Sequence, residues 1–164
     1  MPTIRVTTKI KADINLVFDL SRSIDLHEIS TAATNEKAIS GKTSGLIELG
    51  ESVTWRAKHF GIYQRLTSKI TAFDKPHFFV DEMQQGAFKS FKHLHQFKQH
   101  KGYTIVTDVF EYESPLGILG KIADWLFLKN YMHNFLVKRN KIIKQIAESK
   151  KGQSFLKNNC NTSI

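Results

Sequence analysis

The chain has 164 residues, with 24 lysines and arginines against 15 aspartates and glutamates for a net charge of +9, 41% hydrophobic residues and a mean hydropathy of −0.30. One hydrophobic core serves a chain of this length, and the balance of apolar and charged residues excludes disordered, collagen-like and coiled-coil classes. Cys160 is the only cysteine and the opening MPTIRVTTKIKADINLVF lacks the apolar segment of a signal peptide; no run of about 18 apolar residues offers a membrane-crossing helix, so a reducing, cytoplasmic setting is expected.

Thr3, Arg5, Thr7 and Lys9 alternate with Ile4, Val6, Thr8 and Ile10, the period of a strand with one buried face. Asp13 offers an N-cap before Leu16, Val17, Phe18 and Leu20, and Ser23 or Asp25 offers one before Leu26 and Ile29, which predicts two short helices. From Glu36 to Tyr112 strand follows strand, broken by Gly41, Gly45, Gly50, Gly61, the Asp74-Lys75-Pro76 turn, Gly86 and Gly102, an antiparallel meander of six further strands. Beyond Pro115, apolar residues recur with helical spacing from Ile118 through Trp125, Leu136 and Ile143 to Ile146, predicting one long amphipathic helix that Gly152 stops. The predicted organisation is one domain over residues 1–150 and a mobile, polar, basic tail over 151–164. Its fold class is α+β: a curved seven-stranded antiparallel sheet wrapped around the C-terminal helix, with two short helices after the first strand. The positive surplus gathers between Lys138 and Lys157, where seven basic residues face only Glu148. Basic residues at a helix end complement its dipole, and a lipid headgroup or an acidic partner is the other use for them.

Alternation selects the side chains that face the gap between sheet and helix. Val53, Trp55, Ala57 and His59 share one face of their strand, and Phe91, His93, His95 and Phe97 share one face of theirs. A two-residue turn at Lys101-Gly102 pairs Phe97 with Val106, His95 with Asp108, His93 with Phe110 and Phe91 with Tyr112. A His95-Asp108 pair on an apolar face is the sharpest expectation, since opposed Cβ atoms lie about 4.5–5.5 Å apart. A similar turn at Gln85-Gly86 places Phe78 opposite His93 and adds Glu82 to the same wall. His59, Glu82, His93, His95 and Asp108 then converge, to serve either a structural hydrogen-bond network or ligand recognition and acid–base chemistry. Trp55, Phe91, Phe97, Phe110, Tyr112 and Trp125 are core aromatics that would also line a cavity. The His93-x-His95 spacing resembles that of metal-binding jelly-roll proteins, but QFKQHKG (Gln96–Gly102) lacks their downstream glutamate, so no metal and no cofactor are assigned. There is no serine elbow, phosphate loop or dinucleotide fingerprint, and the lysines of FKSFKHLHQFK fall opposite its aromatics, against nucleic-acid binding.

The layout, with GESVTWRAKHFG (Gly50–Gly61), DEMQQGAFKSFKHLHQF (Asp81–Phe97) and TDVFEYESPLGILG (Thr107–Gly120), resembles the SRPBCC superfamily of START domains and the birch-pollen allergen, in particular its bacterial polyketide cyclase/dehydrase-like branch. The resemblance covers about residues 2–148 and implies a helix-grip fold with an internal apolar cavity; it transfers no catalytic residue. The expected function is binding of a hydrophobic or amphipathic small molecule, with Trp55, His59, Glu82, Phe91, His93, His95, Phe97, Phe110, Tyr112 and Trp125 around it, weakened by His95→Ala and not by His27→Ala. The alternatives are a cyclase, dehydratase or hydrolase in which His95 and Asp108 act as acid–base pair, and a module meeting an acidic protein or a membrane surface through its basic C-terminal end.

Overall fold

The structure is a computed structural model and describes residues 1–115 and 127–160. Strand β1 (Thr3–Ile10) leads into helices α1 (Ile14–Ser21) and α2 (Ile24–Ser30), and a 3-10 turn (Ala32–Thr34) precedes the meander β2 (Lys37–Gly41), β3 (Ser52–His59), β4 (Ile62–Asp74), β5 (Phe78–Gln85), β6 (Ser90–His100) and β7 (Tyr103–Glu113). Helices α3 (Lys129–Ala147) and α4 (Lys151–Cys160) follow. All pairings are antiparallel, in the order β1-β7-β6-β5-β4-β3-β2, and the sheet curves around α3.

The local chemistry explains the elements. Asp13 Oδ1 accepts from the amides of Asn15 and Leu16, and Ser23 Oγ from that of Leu26, so both predicted caps form. Asp25 instead accepts from the Gly45 amide and ties α2 to the loop before β3. Two-residue turns at Phe60-Gly61 and Lys101-Gly102 have positive φ at both central residues, the geometry that suits the twist of paired strands. The core lies between the concave sheet face and the helices: Ile10, Val17, Phe18, Leu20, Phe79, Phe97 and Ile143 at one end, and Ile4, Val6, Phe91, Phe110, Tyr112 and Leu136 at the other.

Residues 151–160, assigned by sequence to a polar tail, form α4, and Phe155 and Leu156 pack on the first of these clusters. Gly152 is a contact point rather than a stop. A Cβ there would stand 2.9 Å from the Ile146 carbonyl oxygen, so only glycine lets α4 fold back so closely on the end of α3. No helix among the described residues is long and apolar enough to cross a membrane.

Candidate functional site

Between the sheet and α3 lies a cavity of about 390 Å³. Trp55, Phe79, Phe91, Phe110, Phe135 and Leu136 give it apolar walls, and two groups of ionisable side chains interrupt them.

The first group stands on β5, β6 and β7. His93 and His95 occupy alternate positions on the inner face of β6, and the Lys101-Gly102 turn sets His95 opposite Asp108 and His93 opposite Phe110, as the sequence predicts. His93 Nε2 lies 3.1 Å from Asp108 Oδ1, and His95 Nδ1 lies 2.6 Å from the same oxygen, a close ionic contact outside hydrogen-bond alignment. Asp108 has no exposed surface; it sits behind the two imidazoles, and its Oδ2 accepts from Asn140 Nδ2 of α3. On the cavity side Asp81 Oδ1 approaches His95 Nε2 at 3.1 Å and His93 Nδ1 at 3.8 Å. The rings of His93 and His95 are 3.8 Å apart, and Phe79 stacks on His95 at 4.3 Å.

Burial works against the charge on each of these groups, and their neighbours decide the outcome. Burial raises the Asp108 pKa, but the two histidines overcome it and hold the carboxyl well below the usual range. Asp81 is lowered for the same reasons, with His95 the main counterweight to burial. Burial pushes His95 down, yet contact with Asp108 and Asp81 raises it on balance; burial and the adjacent His95 leave His93 lowered. Arg139, buried on α3 with Nη2 donating to the Ser21 carbonyl, faces the same cavity and supplies a fixed positive charge.

The second group joins α2, β3 and the helix. Buried Glu36 places Oε2 3.5 Å from His27 Nε2, and the His27 ring stacks on Trp55 at 4.2 Å. His59 Nδ1 lies 2.7 Å from the Tyr131 hydroxyl. All five residues line the cavity. Burial raises Glu36, but attraction to His27, helped by His59 and Thr31, holds its pKa below the ordinary glutamate value. A depressed carboxyl stabilises the fold above its unfolded pKa, about 4.3, and loses that contribution as pH falls through its folded pKa. The stability advantage of the native chain over Glu36→Gln is therefore expected to shrink in acid, in thermal melts from about pH 7 to pH 3. An advantage independent of pH would contradict the ion pair.

Several predicted positions are corrected. Glu82 is on the other face of β5, 3.6 Å from Lys92, because β5 pairs with β6 as Asp81↔His93 and Glu82↔Lys92 rather than Phe78↔His93. The chain from Gly86 to Lys89 makes a longer connection than a two-residue turn, and the resulting odd shift in register exchanges faces. Phe97 does not line the cavity, because α1 covers it with Phe18, and Tyr112 is sealed against Phe88 and Phe110. His27, expected to take no part in binding, lies in the cavity wall. Trp55, His59, Phe91, His93, His95 and Phe110 line the cavity as predicted; Trp125 lies outside the described residues. Asp81, Glu36, Arg139 and Asn140 were not singled out from the sequence. The signal for the helix pair was present, since Arg139 and Asn140 fall in phase with Leu136 and Ile143 on the buried stripe.

No protein-family model matches the sequence, and no curated protein matches it. Solved structures do match the fold. The protein TTHA0849 from Thermus thermophilus superposes with a TM-score of 0.72 at 16% identity, over 88% of this chain and 95% of its own. Ginseng major latex-like protein 151 from Panax ginseng gives 0.67 at 17% identity, over 90% and 98%. Protein Ms6760 from Mycobacterium smegmatis gives 0.65 at 18% identity, over 88% and 89%. With its single meander joined by β1 and curved around a C-terminal helix, the chain has the helix-grip, START-like fold that these solved structures share.

Proposed function

We propose that the protein binds a hydrophobic or amphipathic small molecule between the sheet and α3. The observation that carries this reading is the cavity itself. Its volume of about 390 Å³ falls in the ordinary range for small-molecule sites, about 300–1,000 Å³, and its walls are apolar and aromatic with a few convergent polar groups. The apolar walls supply affinity; His93 and His95 at one group orient a carboxyl, phenol or keto oxygen, and Glu36 at the other accepts from a hydroxyl or amine.

Titration with two naphthyl fluorophores, anionic anilinonaphthalene sulfonate and neutral N-phenyl-1-naphthylamine, tests this. Ser68 is buried on β4 and lines the cavity, whereas Lys98 is exposed on β6. Ser68→Phe is expected to weaken both fluorophores by about tenfold or more, as loss of one well-filled pocket's contacts would, and Lys98→Ala neither. His95→Ala is expected to weaken the anionic one selectively. Equal binding by the native chain and a folded Ser68→Phe variant, or no binding by the native chain, would overturn the reading.

The same wall favours one second reading, acid–base chemistry on the bound molecule. His93 and His95 both face the cavity while Asp108 orients them from behind, the arrangement in which an imidazole exchanges protons with a bound group. Conversion of a bound compound by the native chain, lost in a folded His95→Gln variant, would select this reading; recovery of every bound compound unchanged would select binding alone.

A further inference from the structure

We propose that Asp81, His93 and His95 form a binding site for a divalent first-row transition-metal ion. The strand geometry brings them together: alternate positions of β6 put both imidazoles on one face, and the β5-β6 register sets Asp81 directly opposite His93. One ligand atom from each residue lies within 4.8 Å of the others, and Asp81 Oδ1 is near both His93 Nδ1 and His95 Nε2. Nitrogen and oxygen ligands about 2.0–2.2 Å from an ion lie about 3.0–3.6 Å from one another. The Asp81–His95 separation of 3.1 Å already meets that spacing, and the Asp81–His93 separation of 3.8 Å meets it after a small ring rotation.

The surroundings match what such a site needs. Metal-bound imidazoles have their far nitrogen held by an acceptor, usually a carboxylate or carbonyl. Here one oxygen of Asp108 faces the far nitrogen of both rings, His93 Nε2 and His95 Nδ1, and Asn140 fixes the other oxygen. Half-buried Asp81 and fully enclosed Asp108 place a carboxylate oxygen on either side of the two rings. Two imidazoles with one carboxylate suit zinc, cobalt or iron(II) rather than calcium or magnesium, which require mainly oxygen ligands. All three side chains line the cavity, which leaves the remaining coordination positions directed into it. Only that last point rests on the cavity as a binding chamber: the ion would there take an oxygen donor of the bound molecule. The His93-x-His95 pair has its third ligand on the neighbouring strand rather than further along its own.

The test is titration of the chelator-treated full chain with cobalt(II), followed by visible absorption and by elemental analysis after dialysis. One equivalent is expected, displaced by zinc, with His93→Gln and Asp81→Asn each weakening it at least about tenfold and Asp108→Asn weakening it about tenfold through ligand orientation. Lys98→Ala, at an exposed position of β6 away from the cavity, is expected to leave it unchanged. Less than half an equivalent, or affinity unaffected in folded His93→Gln and Asp81→Asn, would overturn the proposal. Should those variants not fold, paramagnetic shifts in the native chain decide: His93 and His95 ring signals displaced by cobalt support the site, and displacement of other histidines instead refutes it. Fluorophore binding on the same chelator-treated sample separates the two ideas. Fluorophore without cobalt binding retires the metal site and keeps the cavity reading; cobalt without fluorophore binding does the reverse.

Discussion

Asp108→Ala is expected to cost about 3–5 kcal/mol of folding stability, the range for removing one partner of a buried charge network. The carboxylate is fully enclosed, faces both His93 and His95, and accepts from Asn140 on the helix opposite. Its loss leaves three buried polar groups short of an acceptor while Arg139 and Asp81 remain in place. Asp108→Asn keeps the shape and one acceptor oxygen but not the charge, so its loss is expected to be smaller. Urea unfolding of both variants followed by circular dichroism measures the difference, and a loss under about 1 kcal/mol for Asp108→Ala would mean that water or a neighbour replaces the carboxylate at little cost.

Phe18→Ala is expected to destabilise the fold by a similar amount, about 3–5 kcal/mol, from lost apolar contact and the void left behind. Its ring is fully enclosed and meets Phe73, Phe79 and Phe97 edge-on at centroid separations of 5.3, 5.6 and 5.1 Å. These pairs lie under the first polar group, because Phe79 also stacks on His95. Phe18→Leu, which retains much of the volume, is expected to lose less. Denaturant unfolding ranks the two, and equal losses would show that the ring edges contribute nothing beyond volume.

The parts of the site that are legible in the sequence are those governed by a short, well-specified turn. Lys101-Gly102 admits the left-handed conformation at both positions, so counting back along the ladder yields every pair from His100↔Tyr103 to Phe91↔Tyr112. Gln85-Gly86 carries the same pattern of a long side chain before glycine, but there the chain runs on to Lys89 before β6 begins. The longer connection there moves β5 by an odd number of residues against β6 and replaces Glu82 by Asp81 on the inner face. FFVDEM carries no clean alternation that would correct it. Burial of Glu36, Arg139 and Asn140 is a tertiary fact of another kind. Glu36 meets His27 of α2, Arg139 the Ser21 carbonyl and Asn140 the Asp108 carboxylate, and a polar residue in an apolar phase shows only that it is enclosed, not which partner it meets. The tail misleads for a related reason: Phe155 and Leu156 are two isolated apolar residues among polar ones, and their value lies in the α1 surface they cover.

The meander has one long-range closure. Every strand from β2 to β6 pairs with its immediate successor, but β1 joins the sheet only through β7, with Ile4 beside Phe110 and Ile10 beside Thr104. β1 is therefore synthesised well before the strand it pairs with. Until about a hundred further residues have been made, the apolar side of Ile4, Val6 and Ile10 has no sheet to join, while the hairpins from β3 onward form by local contacts at low loop-closure cost. Docking of β1 on β7 covers the edge that β7 would otherwise present and leaves the shorter β1 as the end strand of the sheet.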